Sequence, residues 1–399
     1  MKRNSVLFLS ALLLCSCGQR PTEEPTEAPT VEKIPTYQIK VVDIDGEILG
    51  QKDIAYNENS SVFDDLINNF DVDYTTGDFG AYISRINGSI IDNNYYLAVY
   101  ENKELASTGV EGLVANENDV FEFRVDCWNT IESGYGVLDN YDVLVDKVIY
   151  GYMKQLDLSK STSFTDGSFW DLMTINVGMN NYYDSSLFNY NSISEAVKNE
   201  LETYDVTTLK NANLFKYYLY SKALNKDLGA VKTYAENYIN TLSDDYNDYV
   251  SPFIVAACYG LGIENEKVNT LVNKEVSTNF VLGPDIPVWQ YCTSRLYNQE
   301  ISNSTLQLCV EKLDYENSCS NALVLQAFAA ANENIRDSKY EINGKDLIEV
   351  LFDNYYNQEK NILEYSKGVE NTYSANQTIV SLMAYKACRD NQKAVNIHG

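Results

Sequence analysis

The sequence predicts a chain with two folded domains, a small α+β domain followed by a larger all-α domain built from helical hairpins. Three observations lead to this prediction. Residues 37–127 alternate segments of strand character with one amphipathic helix, and residues 138–392 carry an apolar period typical of helices. About 360 residues follow the Pro-rich N-terminal segment, which is enough chain for two domains.

The N-terminus has the layout of an export signal. Lys2 and Arg3 precede an apolar run over residues 6–14, which is shorter than the roughly 20 residues that a membrane-spanning helix needs. Leucine at −3 and serine at −1 of Cys17 resemble the lipobox of bacterial lipoproteins. This resemblance implies a signal peptide over residues 1–16, lipid on Cys17 and a location on the outer face of the cell membrane. An ordinary secretory signal is the alternative.

Residues 17–36 are expected to form a tether. The segment from Gln19 to Tyr37 contains four of the chain's seven prolines, with Thr and Glu between them. Such a segment buries too little apolar surface to fold, and proline keeps it extended. We therefore expect it to space the folded body from the membrane.

The charge balance excludes some partners. The chain has 30 Lys+Arg and 57 Asp+Glu, a net charge of −27, and removal of residues 1–16 makes it −29. A nucleic-acid partner requires a basic surface, and anionic lipid headgroups repel an acidic body. We therefore expect no nucleic acid, and membrane attachment only through Cys17.

The histidine and cysteine content further limits the kinds of active site and metal site that this chain can form. The only histidine is His398, so Ser-His-Asp triads, Cys-His nucleophiles and multi-His zinc sites are excluded. We therefore expect no metal ion. Export permits disulfides, but the six cysteines after residue 17 are widely spaced, so buried free thiols are expected, with one or two bridges as the alternative. These cysteines are Cys127, Cys258, Cys292, Cys309, Cys319 and Cys388.

The first domain is predicted as strand, helix and three strands. Residues 37–44, 82–86, 95–100 and 119–125 have strand character, and residues 61–70 form the helix. Within the helix, Ser60 or Ser61 serves as N-cap, Asp64 and Asp65 suit the positive end of the dipole, and Val62, Leu66 and Ile67 share a face.

Several segments of this domain resemble the transcobalamin-C-terminal-like domain, a β-grasp module of exported Gram-positive proteins. They are SVFDDL at 61–66, AYISRING at 81–88, the aromatic strand YYLAVY at 95–100, and Asn118-Asp119 where the family has Gly-Asp. Two departures are the missing glycine after the aromatic strand and Asn118 in place of the turn glycine. Asparagine tolerates left-handed turns, so the fold is expected to survive, whereas the ligand loop is open to change.

The second domain is predicted as an array of helical hairpins. Six helical segments recur, at 169–178, 214–227, 252–262, 289–296, 322–332 and 378–387. Turns near Asn225, Gly262, Tyr297 and Asn332 are spaced 37, 35 and 35 residues apart, a period typical of helical repeats. Small residues at the helix ends are expected to permit close packing. An open solenoid and a closed ring both satisfy this pattern.

The later repeats resemble the terpenoid-cyclase and prenyltransferase α/α toroid, in the variant paired with transcobalamin-like domains. The matching segments are 317–331, INGKDLI at 342–348, and 373–387. The resemblance favours a closed α/α toroid over residues 138–392 and a β-grasp-like domain over 37–127.

The catalytic motifs of these families are missing from the sequence. The prenyltransferase zinc needs a histidine within the repeats, and no D-x-D-D acid motif occurs. Asp64-Asp65 lies in the first domain, and Asp244-Asp245 is expected in a solvated turn. We therefore name no catalytic residue and expect a binding protein rather than an enzyme. A glycan hydrolase or lyase with a carboxylate pair, or a Tyr/Arg set, in the toroid is the second alternative.

The resemblance implies a small ligand, such as cobalamin or another cofactor, held between the two domains, with a membrane transporter as a further partner. Tyrosine and tryptophan supply rigid contact area, and core packing is the competing interpretation of each residue. The candidate contacts are Tyr95, Tyr96, Trp170, Trp289, Tyr373 and Gln377. The domain order is reversed relative to transcobalamin, so a shared pocket is not assured. The first alternative is a protein- or glycan-binding adhesin, which predicts an exposed Tyr-rich face and no cleft between the domains.

Overall fold

The computed structural model describes residues 34–58, 60–91, 94–128, 140–182, 188, 190, 192–243, 250–273, 283–299, 303–313 and 316–399. The expected signal peptide, Cys17 and nearly all of the tether lie outside these residues, as do Asp244 and Asp245. The described residues form a small sheet-containing part followed by a helical part. This arrangement confirms the coarse prediction of a multi-domain α+β chain.

The first part contains seven strands and one helix among the described residues. They are β1 Thr36–Val42, β2 Ile48–Ala55, α1 Val62–Asn69, β3 Val72–Gly77, β4 Gly80–Ile86, β5 Tyr95–Glu101, β6 Glu104–Leu105 and β7 Val120–Cys127. Five strands form a sheet in the order β2-β1-β7-β5-β6, and β3 pairs with β4 as a separate ribbon. The central strands β1 and β7 are parallel, and the other pairs are antiparallel.

Helix α1 begins as its sequence predicts. The Ser61 side chain accepts a hydrogen bond of 3.2 Å from the Asp64 backbone N–H, and Asp64 and Asp65 occupy the first turn. Val62 and Leu66 are fully buried on the face that packs against the sheet. The cap and this apolar face together fix where the helix starts and how it lies.

Alternation along the strands gives the sheet two different faces. Tyr37 and Ile39 of β1 and Phe121 and Phe123 of β7 point to the same side and are buried in one apolar cluster with α1. Side chains at the intervening positions point to the opposite face, because the side-chain period of a strand is two. This opposite face carries polar and aromatic residues.

Among the described residues of the second part, the secondary structure is helical apart from one short hairpin. Its helices are α2 Asn140–Gln155, α3 Phe169–Asn181, α4 Glu195–Thr203, α5 Ala212–Ala223, α6 Gly229–Asn240, α7 Ser251–Leu261, α8 Glu266–Val272, α9 Asp285–Leu296, α10 Asn303–Glu311, α11 Ser318–Ala331, α12 Leu347–Tyr355 and α13 Thr372–Asn391. The hairpin strands are β8 Tyr356–Asn357 and β9 Ile362–Leu363.

Six of these helices contact one another in a closed ring. Helix α3 packs on α5, α5 on α7, α7 on α9, α9 on α11, α11 on α13, and α13 returns to α3. The ring helices are buried on nearly all sides; in α11, 12 of 14 residues are buried. By contrast, α6 buries only Val231, Ala235 and Ile239, a single stripe typical of a helix that covers the outside.

Left-handed residues end the ring helices at the turns that the sequence predicts. Gly262 follows α7 with φ of 61°, and Asn332 follows α11 with φ of 56°. Asn225 and Asn298 also have positive φ, at 52° and 55°. Glycine and asparagine adopt this conformation most readily, so they set the ends of the hairpins.

Helix α2 joins the two parts of the molecule. Its Tyr150 packs with Ile44, Tyr95 and Val125 of the first part, while Val145, Ile149 and Met153 pack into the core of the helical part. The Lys154 ammonium lies 2.6 Å from Asp43 Oδ2, 2.8 Å from Asp45 Oδ1 and 3.1 Å from Glu47 Oε2. The β1–β2 turn and α2 are therefore held in direct contact by apolar packing and ion pairs.

Candidate functional site

The polar face of the five-stranded sheet is the first candidate site, and we call it the open sheet face. It comprises Gln38 and Lys40 of β1, Glu122, Arg124 and Asp126 of β7, Tyr96 and Tyr100 of β5, and Trp128 just after β7. Part of it, with Ile48, Gln51, Asn102, Lys103 and Val120 at its borders, encloses a concave volume of about 700 Å³. This volume is in the range of small-ligand sites.

Charged and aromatic groups alternate across the centre of this face. The Arg124 guanidinium lies over the Tyr100 ring at 4.0 Å from its centroid, and the Tyr100 hydroxyl donates to Asp126 Oδ2 at 2.5 Å. Lys40 Nζ lies 2.8 Å from Glu122 Oε2. Burial, followed by the hydrogen bond to Asp126, raises the pKa of Tyr100, so its hydroxyl stays a donor. These groups are fixed by one another in positions that a ligand can reach.

One end of the open sheet face carries an aromatic pair. The Tyr96 and Trp128 rings stack with centroids 4.1 Å apart and an interplanar angle of 26°. Trp128 is 55% exposed, which is unusual for a large apolar side chain. Because Tyr96 pairs across the strands with Asp126, the stack adjoins the Tyr100–Arg124 group.

The six ligand contacts that the sequence suggests do not gather at one place. Tyr95 and Tyr96 are consecutive in β5 and so point to opposite faces; Tyr95 is buried against α2. Trp170 and Trp289 are buried in the helical core, with 1% and 3% exposure. On α13, Gln377 is buried and Tyr373 is 51% exposed. Of the six, Tyr96 alone lies on the open sheet face.

A second cleft, of about 320 Å³, lies between α2, α3, β9 and the start of α13. In its wall the Tyr152 hydroxyl lies 2.6 Å from Asp171 Oδ1 and 2.7 Å from Asn376 Oδ1. Asn376 Nδ2 donates to Asp171 Oδ2 at 3.2 Å. Burial raises the pKa of Asp171 to about 6.

Hydrogen counting in this triad agrees with the raised pKa. The three contacts among Tyr152, Asp171 and Asn376 need one hydrogen each. The Tyr152 hydroxyl supplies one and the Asn376 amide supplies one to Asp171, so one hydrogen is missing. Exchanging the oxygen and nitrogen of the Asn376 amide does not remove the shortage. The amide nitrogen would then face Tyr152, and the amide oxygen would face Asp171 Oδ2 with no hydrogen between the two oxygens. A proton on Asp171 completes the set, so the geometry fits a neutral carboxylic acid. Asp171 is not among the residues predicted from the sequence; the signal that marks it is an acid inside the apolar segment FWDLM.

A buried ion-pair cluster ties α2 to α13, and its members are mutually paired. Arg389 Nη2 lies 2.8 Å from Asp146 Oδ1, and Lys386 Nζ lies 2.7 Å from Asp390 Oδ2. Lys386 and Asp146 are fully buried. Nearby, the Tyr385 hydroxyl donates to Asp142 Oδ1 at 2.7 Å. We interpret this cluster as a structural connection, because opposite charges satisfy one another there.

Within the described ranges, no group of three or more His, Cys, Asp or Glu side chains is arranged to hold a metal ion. None of the helices in the same part of the chain combines the length and apolar character needed to cross a bilayer. The six cysteines after residue 17 are free thiols; Cys258, Cys292 and Cys309 are buried as expected, whereas the other three are half-buried.

Comparison with known proteins identifies no family. No family model matches the chain, and no curated protein matches it. The chain is similar to a solved structure from Ruminococcus gnavus ATCC 29149, described as a "putative metal binding protein". The two share 16% identity over 25% of this chain and 99% of the other, with a TM-score of 0.21. A likeness at this TM-score carries no argument about fold or function.

Proposed function

We propose that this chain is an extracellular binding protein, held to the membrane by lipid on Cys17, that captures a glycan on the open sheet face. The observation that carries the proposal is the exposed Tyr96–Trp128 stack beside the Arg124–Tyr100 group. Sugar rings have apolar C–H faces that pack on aromatic rings, and their hydroxyls need both donors and acceptors. Lys40, Glu122 and the neighbouring amides supply both.

We also propose the finer fold assignments. The central parallel pair β1 and β7, with α1 packed on one side, supports a β-grasp-like first domain. The closed ring from α3 to α13, with amphipathic helices outside it, supports an α/α toroid. β7 ends at Cys127 and α2 begins at Asn140, on either side of the expected domain boundary.

Capture of a cobalamin-like cofactor between the domains stays a prediction. The described contact between them is filled by Tyr150, Tyr95 and Ile44 and by the ion pairs of Lys154. A flat cofactor would therefore need another part of the interface. The direct contact and the exposed aromatic face favour the adhesin alternative, and delivery to a membrane transporter has no supporting observation.

Glycan hydrolysis is a second candidate, favoured by Asp171 in its cleft, because burial raises the pKa of this carboxyl to about 6. A carboxylic acid with a pKa near the working pH suits protonation of a glycosidic oxygen. The test is release of reducing ends from oligosaccharides by the purified chain, with Asp171→Asn as the matched inactive variant. Equal release by both proteins, or none by either, counts against it.

Calorimetric titration with neutral oligosaccharides tests the binding proposal, using glucan, mannan and chitin fragments of three to six sugars. We expect at least one to bind, and Trp128→Ala and Arg124→Ala to weaken it about tenfold or more. Tyr82→Ala is the matched control, because Tyr82 is 60% exposed on the separate β3–β4 ribbon. The proposal fails if none binds, or if all three variants bind like the parent chain.

A further inference from the structure

The segment that follows α13 packs onto the ring of helices, where Val395, Ile397 and His398 are buried. After α13, Gln392 takes a positive φ of 49° and turns the chain back. The Val395 N–H donates to Ala329 O of α11 at 2.9 Å, and Asn396 Nδ2 donates to Cys292 O of α9 at 2.6 Å. Asn176 Nδ2 of α3 donates to Gly399 O at 3.4 Å. We call residues 393–399 the inserted segment.

His398 is the deepest polar group of the inserted segment. Its ring centroid lies 5.4 Å from that of Phe215 on α5 and 6.1 Å from that of Phe253 on α7. Phe253 in turn packs on Trp289 of α9 at 5.0 Å. Together with the bonds to α3, α9 and α11 and the link to α13, the inserted segment therefore touches every helix of the ring.

The surroundings of His398 do not satisfy an imidazole. It is 2% exposed, and neither ring nitrogen has a hydrogen-bond partner in the part of the chain that the structure describes. Burial alone lowers its pKa to about 3, because Phe215 of α5 and Phe253 of α7 face the ring and none of the described charged groups contributes. Phenylalanine would fill the same space without this cost. What imidazole adds here is a proton-binding group with an ordinary pKa of about 6.5.

We propose that protonation of His398 releases the inserted segment from the ring. Neutral His398 keeps the segment in place, and its release opens an aromatic-lined cavity to a small apolar ligand. Phe215 and Phe253 would line this cavity, with Trp289 packed behind Phe253. This site is separate from the open sheet face and does not depend on it. The inserted state favours neutral imidazole, so a lower pH favours release. Between about pH 6.5 and about pH 3, each pH unit downward shifts the equilibrium between inserted and released segment about tenfold toward release.

Hydrogen exchange measured on the purified chain between pH 7 and pH 4.5, corrected for the intrinsic rate, tests the release. We expect the Val395 amide to lose protection about tenfold per pH unit in the lower part of this range, while the amides of α11 and α13 stay protected. His398→Phe is the matched variant; it keeps the shape, cannot bind a proton, and is expected to protect Val395 equally at all these pH values.

An uncharged apolar dye, Nile red, tests the cavity. We expect its fluorescence to rise with the parent chain at pH 4.5 and with His398→Asp already at pH 7, but not with His398→Phe at either pH. The proposed release is overturned if the exchange of the Val395 amide depends on pH equally in the parent chain and in His398→Phe. Simultaneous exchange of Val395 and α11 overturns it too, since that indicates global unfolding. If the segment is released but Nile red does not bind, the proposed ligand cavity is overturned.

Discussion

The Tyr95 hydroxyl of β5 donates a hydrogen bond of 2.9 Å to Oδ2 of Asp146 on α2, and both side chains are buried. Asp146 also accepts two bonds from Arg389 Nη2, at 2.8 and 3.0 Å. Lys386 Nζ lies 3.5 Å from Asp146 Oδ1. Tyr95 thereby ties the sheet of the first domain to the ion-pair cluster of the helical domain.

Tyr95→Phe is expected to lower the free energy of unfolding by about 1.5–3 kcal/mol, because it removes a buried hydrogen bond to a charged acceptor. Asp146→Asn is expected to cost more, about 3–5 kcal/mol, since Arg389 and Lys386 lose a buried counter-charge. Urea unfolding followed by circular dichroism measures both. Tyr82→Phe on the exposed ribbon is the control, and a Tyr95→Phe curve that overlays it contradicts the prediction.

The Asp171 triad predicts an unusual pH dependence of stability. A folded-state pKa of about 6 lies above the unfolded value of about 3.9, so the folded chain binds more protons between these values. Stability is therefore expected to fall as pH rises through this window, by up to about 3 kcal/mol from this group. Asp171→Asn keeps the shape and removes the dependence, so the stability difference between variant and parent changes across the window.

Asp353→Asn provides the contrast for the Asp171 measurement. The hydrogen bond from Lys345 lowers the pKa of Asp353, so its contribution is present at neutral pH and is lost as pH falls. Denaturant unfolding of both variants and the parent chain, at half-unit steps from pH 3.5 to 7, separates the two signs. If Asp171→Asn and the parent chain keep a constant stability difference, Asp171 is not the neutral acid of the triad.

Close packing at the ends of the ring helices depends on small residues, as the sequence suggests. A Cβ added to Gly260 on α7 would lie 2.1 Å from Cζ of the buried Tyr218 on α5. Gly260→Ala is therefore expected to lower the free energy of unfolding by about 1–3 kcal/mol. Gly109→Ala is the control, because a Cβ there meets nothing within 4 Å. Equal thermal midpoints of the two variants count against close α5–α7 packing.

The buried thiols are expected to be inert in the folded chain. Cys258, Cys292 and Cys309 are each 0% exposed, and burial raises the pKa of all three, to about 12 for Cys258 and Cys309. Because the thiolate is the reactive form, Ellman's reagent at pH 8 should modify them only after denaturation. Serine variants of the three should leave the native signal unchanged, whereas Cys127→Ser should reduce it. Fast native reaction of Cys258, Cys292 or Cys309 contradicts this packing.

The sequence pattern predicts the ring helices but not the helices outside the ring. All six helical segments that it singled out coincide with α3, α5, α7, α9, α11 and α13. The residues of these segments are buried on nearly all sides of their helices. Their outer partners were not singled out, because a single buried stripe such as that of α6 gives a weaker signal in the sequence.

In the first domain, β2 and β3 are not predicted by the sequence pattern. Both strands are largely exposed and polar, so the apolar alternation that identifies a strand is missing from them. β2 is an edge strand, held by backbone pairing with β1 rather than by burial of its side chains. Backbone pairing of this kind places few demands on residue type, so the sequence pattern does not predict such a strand.

The sequence by itself determined the change from strand to helical period, the cap of α1 and the turns that end at Gly262 and Asn332. These features depend on residues a few positions apart, so local chemistry fixes them. Tertiary structure decided which groups meet: Tyr152 with Asn376, 224 residues away, and Tyr95 with Asp146. It also buried the lone histidine against the ring helices. Such contacts depend on the closure of the whole fold, which no local pattern encodes.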